Sequence, residues 1–547
     1  MTKLIYLFHS IRYLKLIQVF NRIYRNINNV RPSLRAYSVN RRLSEFIRFE
    51  LVESSYLGGG KFRFLNLTGQ IESWNDKNYE KLWLYNLHYF DDLNSINSNS
   101  SVKEHKLLIE DWLVNNPVMQ GDGWEPYPLS LRIVNWIKFF IANDIREKKL
   151  LDSLFVQVDA LSLSLEYHLL GNHLFANAKA LVFAGCFFSG PDADRWLKKG
   201  LSILNKEIPE QILSDGGNFE LSPMYHNIIL GDMLDLCNLA ITYPNNIDVS
   251  TRSNWKITAK KMLHWMNVMS HSDGEVAFFN DSAIGIAPTS TRLSEYAACF
   301  ELRDDSRLVK QPSDALNVIY LQDSGYIAIV SADSKLLIDV AKVGPDYIPG
   351  HAHADTLSFE MSIDGYRVFV NSGTSVYGLG EERLRQRKTE THNTVRVDGM
   401  DSSEVWSGFR VARRAYPSSP VITEREGHVS VECAHDGYMR FPGKVTHTRK
   451  WTVEQGNLLV CDRLTGTYNH AEAHYHLHPD VVVDEFKSGN AVVLHLPCGF
   501  QYMVNAEGAD IKVIDTTWHP EFGLAVANKK LVLNFKQNEV KFILKRA

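Results

Sequence analysis

A chain of 547 residues with 45% apolar and 22% charged side chains buries large cores and divides into at least two domains, which makes it a globular protein. A formal charge of -4 with both signs interspersed excludes the overall basic field of a nucleic-acid binder, and an 11% aromatic content suits stacking of sugar rings on Trp and Tyr. The six cysteines, Cys186, Cys237, Cys299, Cys433, Cys461 and Cys498, form no CxxC pair, so they read as buried free thiols and not as a disulfide framework or zinc finger.

Residues 1–27 interrupt every apolar run with Lys3, Arg12, Lys15, Arg22 or Arg25 and lack a small-residue cleavage site, which argues against an ordinary signal peptide. Leu4, Ile5, Leu7, Phe8, Ile11, Leu14, Ile17 and Phe20 recur at helical spacing. The first fifty residues hold ten Lys/Arg against only Glu45 and Glu50, so a basic amphipathic helix is expected in residues 1–27, within a basic N-terminal segment 1–45. Such a helix points to peripheral contact with an anionic membrane surface, and the plainer alternative is packing on the main body. No run reaches the roughly eighteen apolar residues that span a bilayer.

From about 100 to 310 the apolar period is helical. In PLSLRIVNWIKFFI, Pro128 suits a first turn and Leu129, Ile133, Trp136, Ile137 and Phe140 share a face; 150–170, 173–188, 194–207, 226–242 and 254–270 read likewise. Short loops between them predict antiparallel packing. Near residue 315 the period drops to two, and the segments from VIYLQDSGYIAIVSA to VKFILK read as strands joined at DG, NG-like or GN turns. The expected architecture is α+β and multidomain: helices over 46–312 and two packed antiparallel sheets over 313–547, with a boundary in the polar stretch 305–318.

Four places break these patterns. In Leu170-Gly171-Asn172-His173-Leu174, Gly171 is expected to end one helix and Asn172 to cap the next. In DGGNFELSPMYHN, Asp215, Glu220, Tyr225 and His226 crowd a loop before a helix, where Tyr225 and His226 also suit a core. In GHAHAD, His351 and His353 alternate just before the strand TLSFEMSI and are expected on one face, a metal or acid/base arrangement. In THNTVRVDG, His392 and Asn393 precede another strand and offer a third partner across the sheet.

Together with LYNLHYFDD (84–92), WEPYPLSLRIVNW (124–136), GNHLFANAKAL (171–181) and VNSGTSVYG (370–378), these motifs resemble the signatures of the heparinase II/III family of polysaccharide lyases, in order over roughly 80–415. The resemblance implies an incomplete (α/α) toroid followed by an antiparallel β-sandwich, and β-elimination at the 4-O-linkage of a uronic acid in an acidic polysaccharide. It implies that Asn172 neutralises the uronate carboxylate, that His173 assists or acts as base, that Tyr225 is the general acid and, with a lowered pKa, also the base, and that His351 reaches over from the sandwich as a further base or carboxylate partner. It also implies a structural zinc on His353, Asn371 and His392, with Asn371 where the family has Asp; the alternative is a hydrogen-bonded cluster without an ion.

Trp124, Glu125, Tyr127 and His226 are candidate sugar contacts. So are Arg387, within the basic run Arg383, Arg385, Arg387 and Lys388, and Trp406 with Arg410; a buried Trp and a solvated basic loop are the plainer readings. Two rivals stand beside the lyase. One is a toroidal glycoside hydrolase using carboxylates among Glu125, Asp215 and Glu220, and the other is a non-catalytic polysaccharide-binding protein. The lack of an evident export signal fits a bacterial protein of capsule, exopolysaccharide or O-antigen metabolism, cytoplasmic or peripheral to the inner membrane. Which uronate, which C5 epimer, endo or exo action and the oligomeric state are not set by these residues.

Overall fold

The computed structural model describes residues 2–27, 30–304, 316–454, 456–485 and 489–547. Its first half is helical. Lys81–Tyr89, Val102–Asn115, Pro126–Ala142, Lys148–Leu163, Gly171–Phe187, Pro191–Gln211, Pro223–Thr242, Val249–Met269 and Ser290–Ala298 follow one another, and the connection before the last of them, 270–289, is long. Their apolar stripes meet in one core that includes Trp112, Trp136, Phe155, Phe183 and Leu234, all essentially without solvent contact. Three departures from the sequence reading occur here. Residues 2–27 form two helices, Thr2–Ile11 and Leu16–Ile27, instead of one. The stretch 150–170 ends its helix at Leu163, and a small three-stranded sheet, Tyr56–Gly58, Lys61–Phe64 and Leu67–Gln70, precedes the helices.

The second half is antiparallel. One sheet runs in the spatial order Tyr366–Phe369, Phe359–Ile363, Ser334–Asp339, Tyr326–Val330, Asn317–Leu321; an eight-stranded sheet extends from Val421–Arg425 to Val482–Glu485 and a four-stranded sheet from Val395–Val397 to Ala509–Trp518. The alternation read from KVTHTRKWTVEQGNLLVCDRL reappears as Thr446–Glu454 paired with Asn457–Thr465, in which every second residue is buried. Ile338, Phe359, Tyr475, Trp451 and Phe542 come from all three sheets and share one core. The boundary expected between residues 312 and 313 lies outside the described residues.

The halves are joined by an apolar seam in which Trp265, Met269 and Phe279 from the helical side meet Tyr326, Ala328 and Leu337 from the first sheet. All six cysteines are free, yet only Cys186, Cys237 and Cys433 are buried and Cys299 is exposed, so the reading of buried thiols holds for half of them.

Candidate active site

Local geometry at the start of Gly171–Phe187 differs from the sequence reading. Leu170, with φ +64, occupies the N-cap position without a side-chain cap, and Gly171 begins the helix instead of ending its predecessor. Asn172 therefore lies in the first turn and caps nothing. Its backbone N–H donates to Glu220 Oε1 at 3.4 Å, which puts a carboxylate at the positive end of the helix. A Cβ at residue 171 would stand 2.9 Å from that oxygen, so glycine is what lets Glu220 approach.

Tyr225 is fixed by its own helix start. Ser222 caps Pro223–Thr242 by accepting the Tyr225 N–H at 3.2 Å, Pro223 supplies the first turn, and the Ser222 hydroxyl donates to the Asp281 carbonyl at 2.5 Å. Asp281 is the hub of the junction. Its buried carboxylate accepts His351 Nδ1–H at 2.9 Å, His353 Nε2–H at 2.8 Å and both arms of the Arg383 guanidinium, one of them at 2.7 Å. Burial alone would raise its pKa, but Arg383 and the two histidines outweigh burial and hold the carboxylate ionised, well below its ordinary value. The tautomers follow from these partners, and with Nδ1 of His351 committed to Asp281, Nε2 is the atom left to exchange a proton.

The imidazole of His351 lies over the Tyr225 ring with centroids 4.0 Å apart, and the Tyr225 hydroxyl is 3.0 Å from that of Tyr377. Nε2 of His351 is 3.5 Å from Glu220 Oε2, a buried oxygen with no hydrogen-bond partner. Burial, then the Tyr377 phenol, push the Tyr225 pKa well above 10. The lowered phenol pKa expected for a dual acid and base is therefore not what the fold supplies; the resting side chain is a proton donor.

Asn172, His173, Tyr127, Tyr225 and His351 line one cavity of about 580 Å3 between the halves, together with Glu220, Tyr377 and Phe409. A wider surface hollow of about 950 Å3 around Ser270, Ser331 and Asp364 gathers none of them. His173 bonds Glu166 Oε1 at 3.2 Å and packs on Tyr127, with 31% of its side chain open. Burial opposes its charging, but Glu166, helped by Glu220 and opposed by Arg25, raises its pKa. The far wall carries Lys179 bonded to Asp232 and Asp235 at 2.6 and 2.7 Å, Lys138 bonded to Asp235 at 3.0 Å, and Asp91, whose pKa burial pushes up to about 6.

Other candidates fall outside this cavity. Trp124 is in the helical core against Trp112. Glu125 is held by Lys81 at 2.7 Å and by Tyr85, and of these only Tyr85 reaches the lining. His226, one residue from Tyr225, points away from the cavity: it is fully buried, stacked on Trp265 and bonded to the Met262 carbonyl, with its pKa lowered to about 3 by burial. Arg387 is buried and donates to the carbonyls of Ala352, Ser407, Gly408 and Arg410, so it shapes a loop. Trp406 donates to Ser10 Oγ at 3.0 Å and anchors the N-terminal helix. Of the hydrolase carboxylates only Glu220 lines the cavity; Asp215 is spent on Ser324 and Gly217.

His351 and His353 lie in a loop and not on a strand edge, yet both turn to Asp281. His353 Nδ1 meets His392 Nε2 at 3.0 Å, and His392 Nδ1 donates to the Lys388 carbonyl at 2.8 Å. Asn371 Oδ1 already accepts the Asn393 N–H at 3.0 Å. Among the described residues no group of three or more His, Cys, Asp or Glu side chains is disposed to hold a metal ion, so two convergent imidazoles lack an anionic third donor.

Sequence reasoning missed Asp281, Tyr377 and the hub role of Arg383. The signal available for Asp281 was a polar Asn280-Asp281-Ser282 run directly after Phe278-Phe279, and for Tyr377 its place inside VNSGTSVYG.

Helices followed by antiparallel sheets, with Asn172, His173, Tyr225 and His351 collected in a cavity between them, define the class of protein. The heparinase II/III N-terminus model matches residues 14–307 and the heparinase II/III-like C-terminal model residues 314–544. The chain belongs to the heparinase II/III family. It is 25% identical over 362 residues to a heparin-sulfate lyase of Bacteroides stercoris, covering 59% of this chain and 54% of that protein. To a heparin-sulfate lyase of Pedobacter heparinus it is 27% identical over 320 residues, covering 53% and 47%. The chain thus spans about half the length of these curated relatives. The crystal structure of heparinase III aligns with a TM-score of 0.69 at 18% identity, over 88% of this chain and 79% of that one, a likeness of fold.

Replacing Asp281 with Asn leaves the Arg383 guanidinium buried without its counter-charge, and the expected loss is about 3–5 kcal/mol in urea unfolding; a loss below about 1 kcal/mol would deny Asp281 its structural place. His173 should titrate above 6.5 by NMR and move down in Glu166→Gln. Because its folded pKa is raised, the pair stabilises fully below pH of about 6.5 and fades as pH rises through the folded value; an unmoved titration in the variant excludes Glu166 as the cause.

Proposed function

We propose that this chain is a polysaccharide lyase that cleaves a uronic-acid-containing polysaccharide by β-elimination, on an incomplete (α/α) toroid carried against a β-sandwich. The observation that carries the reading is the cavity shared by the Asn172 amide, the Tyr225 phenol and the His351 imidazole. The C5 proton of a uronate becomes acidic enough to remove only when its carboxylate is neutralised. Asn172, which lines the cavity, donates its side-chain amide to that carboxylate, and the His173 ring beside it, held by Glu166, offers a further N–H. His351 Nε2 takes the C5 proton, and the resulting imidazolium is stabilised by Asp281. The C5 electron pair forms the C4=C5 double bond, the C4–O4 bond breaks, and O4 takes the Tyr225 proton. With the phenol and imidazole rings side by side, centroids 4.0 Å apart, base and acid stand on one side of the sugar, which favours elimination of groups that are syn.

The cavity also favours a class of polymer. Both lining lysines are held by Asp232 and Asp235, Asp91 adds a further carboxyl, and no arginine lines the cavity among the described residues. A chain with one carboxylate per uronate suits this wall; dense sulfation does not. The two imidazoles are proposed to staple the sheet loops without an ion, through the bond of His353 to Asp281 and that of His392 to the Lys388 carbonyl.

Incubation with hyaluronan, alginate, chondroitin and heparan sulfate should produce the ultraviolet absorbance of an unsaturated uronate, fastest on an unsulfated polymer. Tyr225→Phe should lower turnover at least about a hundredfold while polymer binding persists. New reducing ends without absorbance would make the chain a hydrolase. Exhaustive chelation should leave melting and turnover unchanged, and metal analysis finding about one zinc per chain would overturn the ion-free staple.

A further inference from the structure

The two N-terminal helices are laid on the body with the wrong face inward for a packed amphipathic helix. Leu16, Val19, Phe20 and Ile23 recur at i, i+3, i+4 and i+7 on Leu16–Ile27, and all four are exposed, Leu16 at 87% and Phe20 at 67%. On Thr2–Ile11, Leu4, Phe8 and Ile11 make a second outward stripe, with Leu4 at 72%. What faces the protein is polar, apart from the Tyr6 ring beside Trp406 and the Tyr13 ring under Arg414. Gln18 is buried and donates to the Tyr347 carbonyl at 3.3 Å, Ser10 accepts from Trp406, Lys15 pairs with Glu210 at 2.7 Å, and Arg25 meets His168 at 2.8 Å. Folding therefore does not use the apolar stripes, and it holds them in place by directed bonds.

Charge selects the occupant. Residues 2–27 contain no Asp or Glu, and the first fifty residues carry ten Lys/Arg against two acids. A second copy of the chain would oppose two segments of the same sign. No helix among the described residues is long and apolar enough to cross a membrane. We infer that Thr2–Ile11 and Leu16–Ile27 form a docking surface for an anionic lipid bilayer, with both helices lying in its interface, the apolar stripes at the acyl boundary and Lys3, Arg12 and Arg22 at the headgroups. The pair bridges the two halves: the first helix rests on Trp406 and Val411 of the sheet half, while Lys15, just before the second helix, pairs with Glu210 and Arg25 meets His168, both of the helical half. His168 and Tyr347 each adjoin a cavity-lining residue, Leu169 and Ile348, so docking holds the cleft beside the lipid.

The test is sedimentation of the full chain with vesicles of phosphatidylcholine alone and of phosphatidylcholine with phosphatidylglycerol. Binding is expected to the anionic vesicles only, to weaken as salt rises, and to fall at least about tenfold in the double variant Leu16→Glu, Phe20→Glu with its melting temperature unchanged. If the double variant unfolds, Leu4→Ser with Phe8→Ser gives the same reading with less added charge. Equal binding to neutral vesicles, no binding to anionic ones, or a concentration-dependent dimer abolished by the variant would each overturn the proposal, the last assigning the face to a second copy.

Discussion

A single buried carboxylate organises this molecule. Asp281 has no solvent contact, and an isolated charge in such a place costs far more than the fold has to spare, so it persists only with its full set of partners. Those partners fix geometry at long range: Arg383, His351 and His353 belong to the sheet half of the chain, whereas Asp281 follows the helix Val249–Met269 of the helical half. The apolar seam around Trp265 and Tyr326 brings the halves together without a preferred register. The directed bonds to Asp281 then choose one.

The same carboxylate shapes the chemistry. By accepting Nδ1–H it orients the His351 ring and leaves Nε2 toward the cavity, while the neighbouring Ser222 bond to the Asp281 carbonyl sets the helix start that carries Tyr225. Acid and imidazole are thereby placed by one short loop, although they come from residues 126 positions apart in sequence number, 225 and 351. The opposite wall is arranged on another principle. Lys138 and Lys179 are buried and would be too costly unpaired, and the Asp232 and Asp235 that make them tolerable also cancel their field toward a ligand. Hydrogen-bond donors toward a ligand come instead from Asn172 and the neighbouring His173 ring, whose protonation Glu166 favours and which, unlike that of a lysine, varies with pH near neutrality.

Much of this was legible from the chain alone. The period of 3.6 through PLSLRIVNWIKFFI and of two through KVTHTRKWTVEQGNLLVCDRL reports which residues must leave water, a property of local spacing, so the order of helices then antiparallel sheets follows directly. The motifs around Asn172, Tyr225 and His351 carried the family. Periodicity also located the apolar stripes of the first 27 residues, but gave no direction: the stripe faces outward because its polar neighbours, Ser10, Lys15 and Gln18, find bonds on the body.

What only the tertiary structure decided is which way each side chain turns and what it meets. Tyr225 and His226 are adjacent letters, yet one opens on the cavity and the other is sealed against Trp265, because a helix sends consecutive residues about 100° apart. Arg383 and Arg387 sit in one basic run, and one holds Asp281 while the other holds backbone carbonyls. Burial and proton affinity depend on partners such as Asp281 for His351, 70 positions away, and Tyr377 for Tyr225, 152 positions away, and no local pattern encodes those distances.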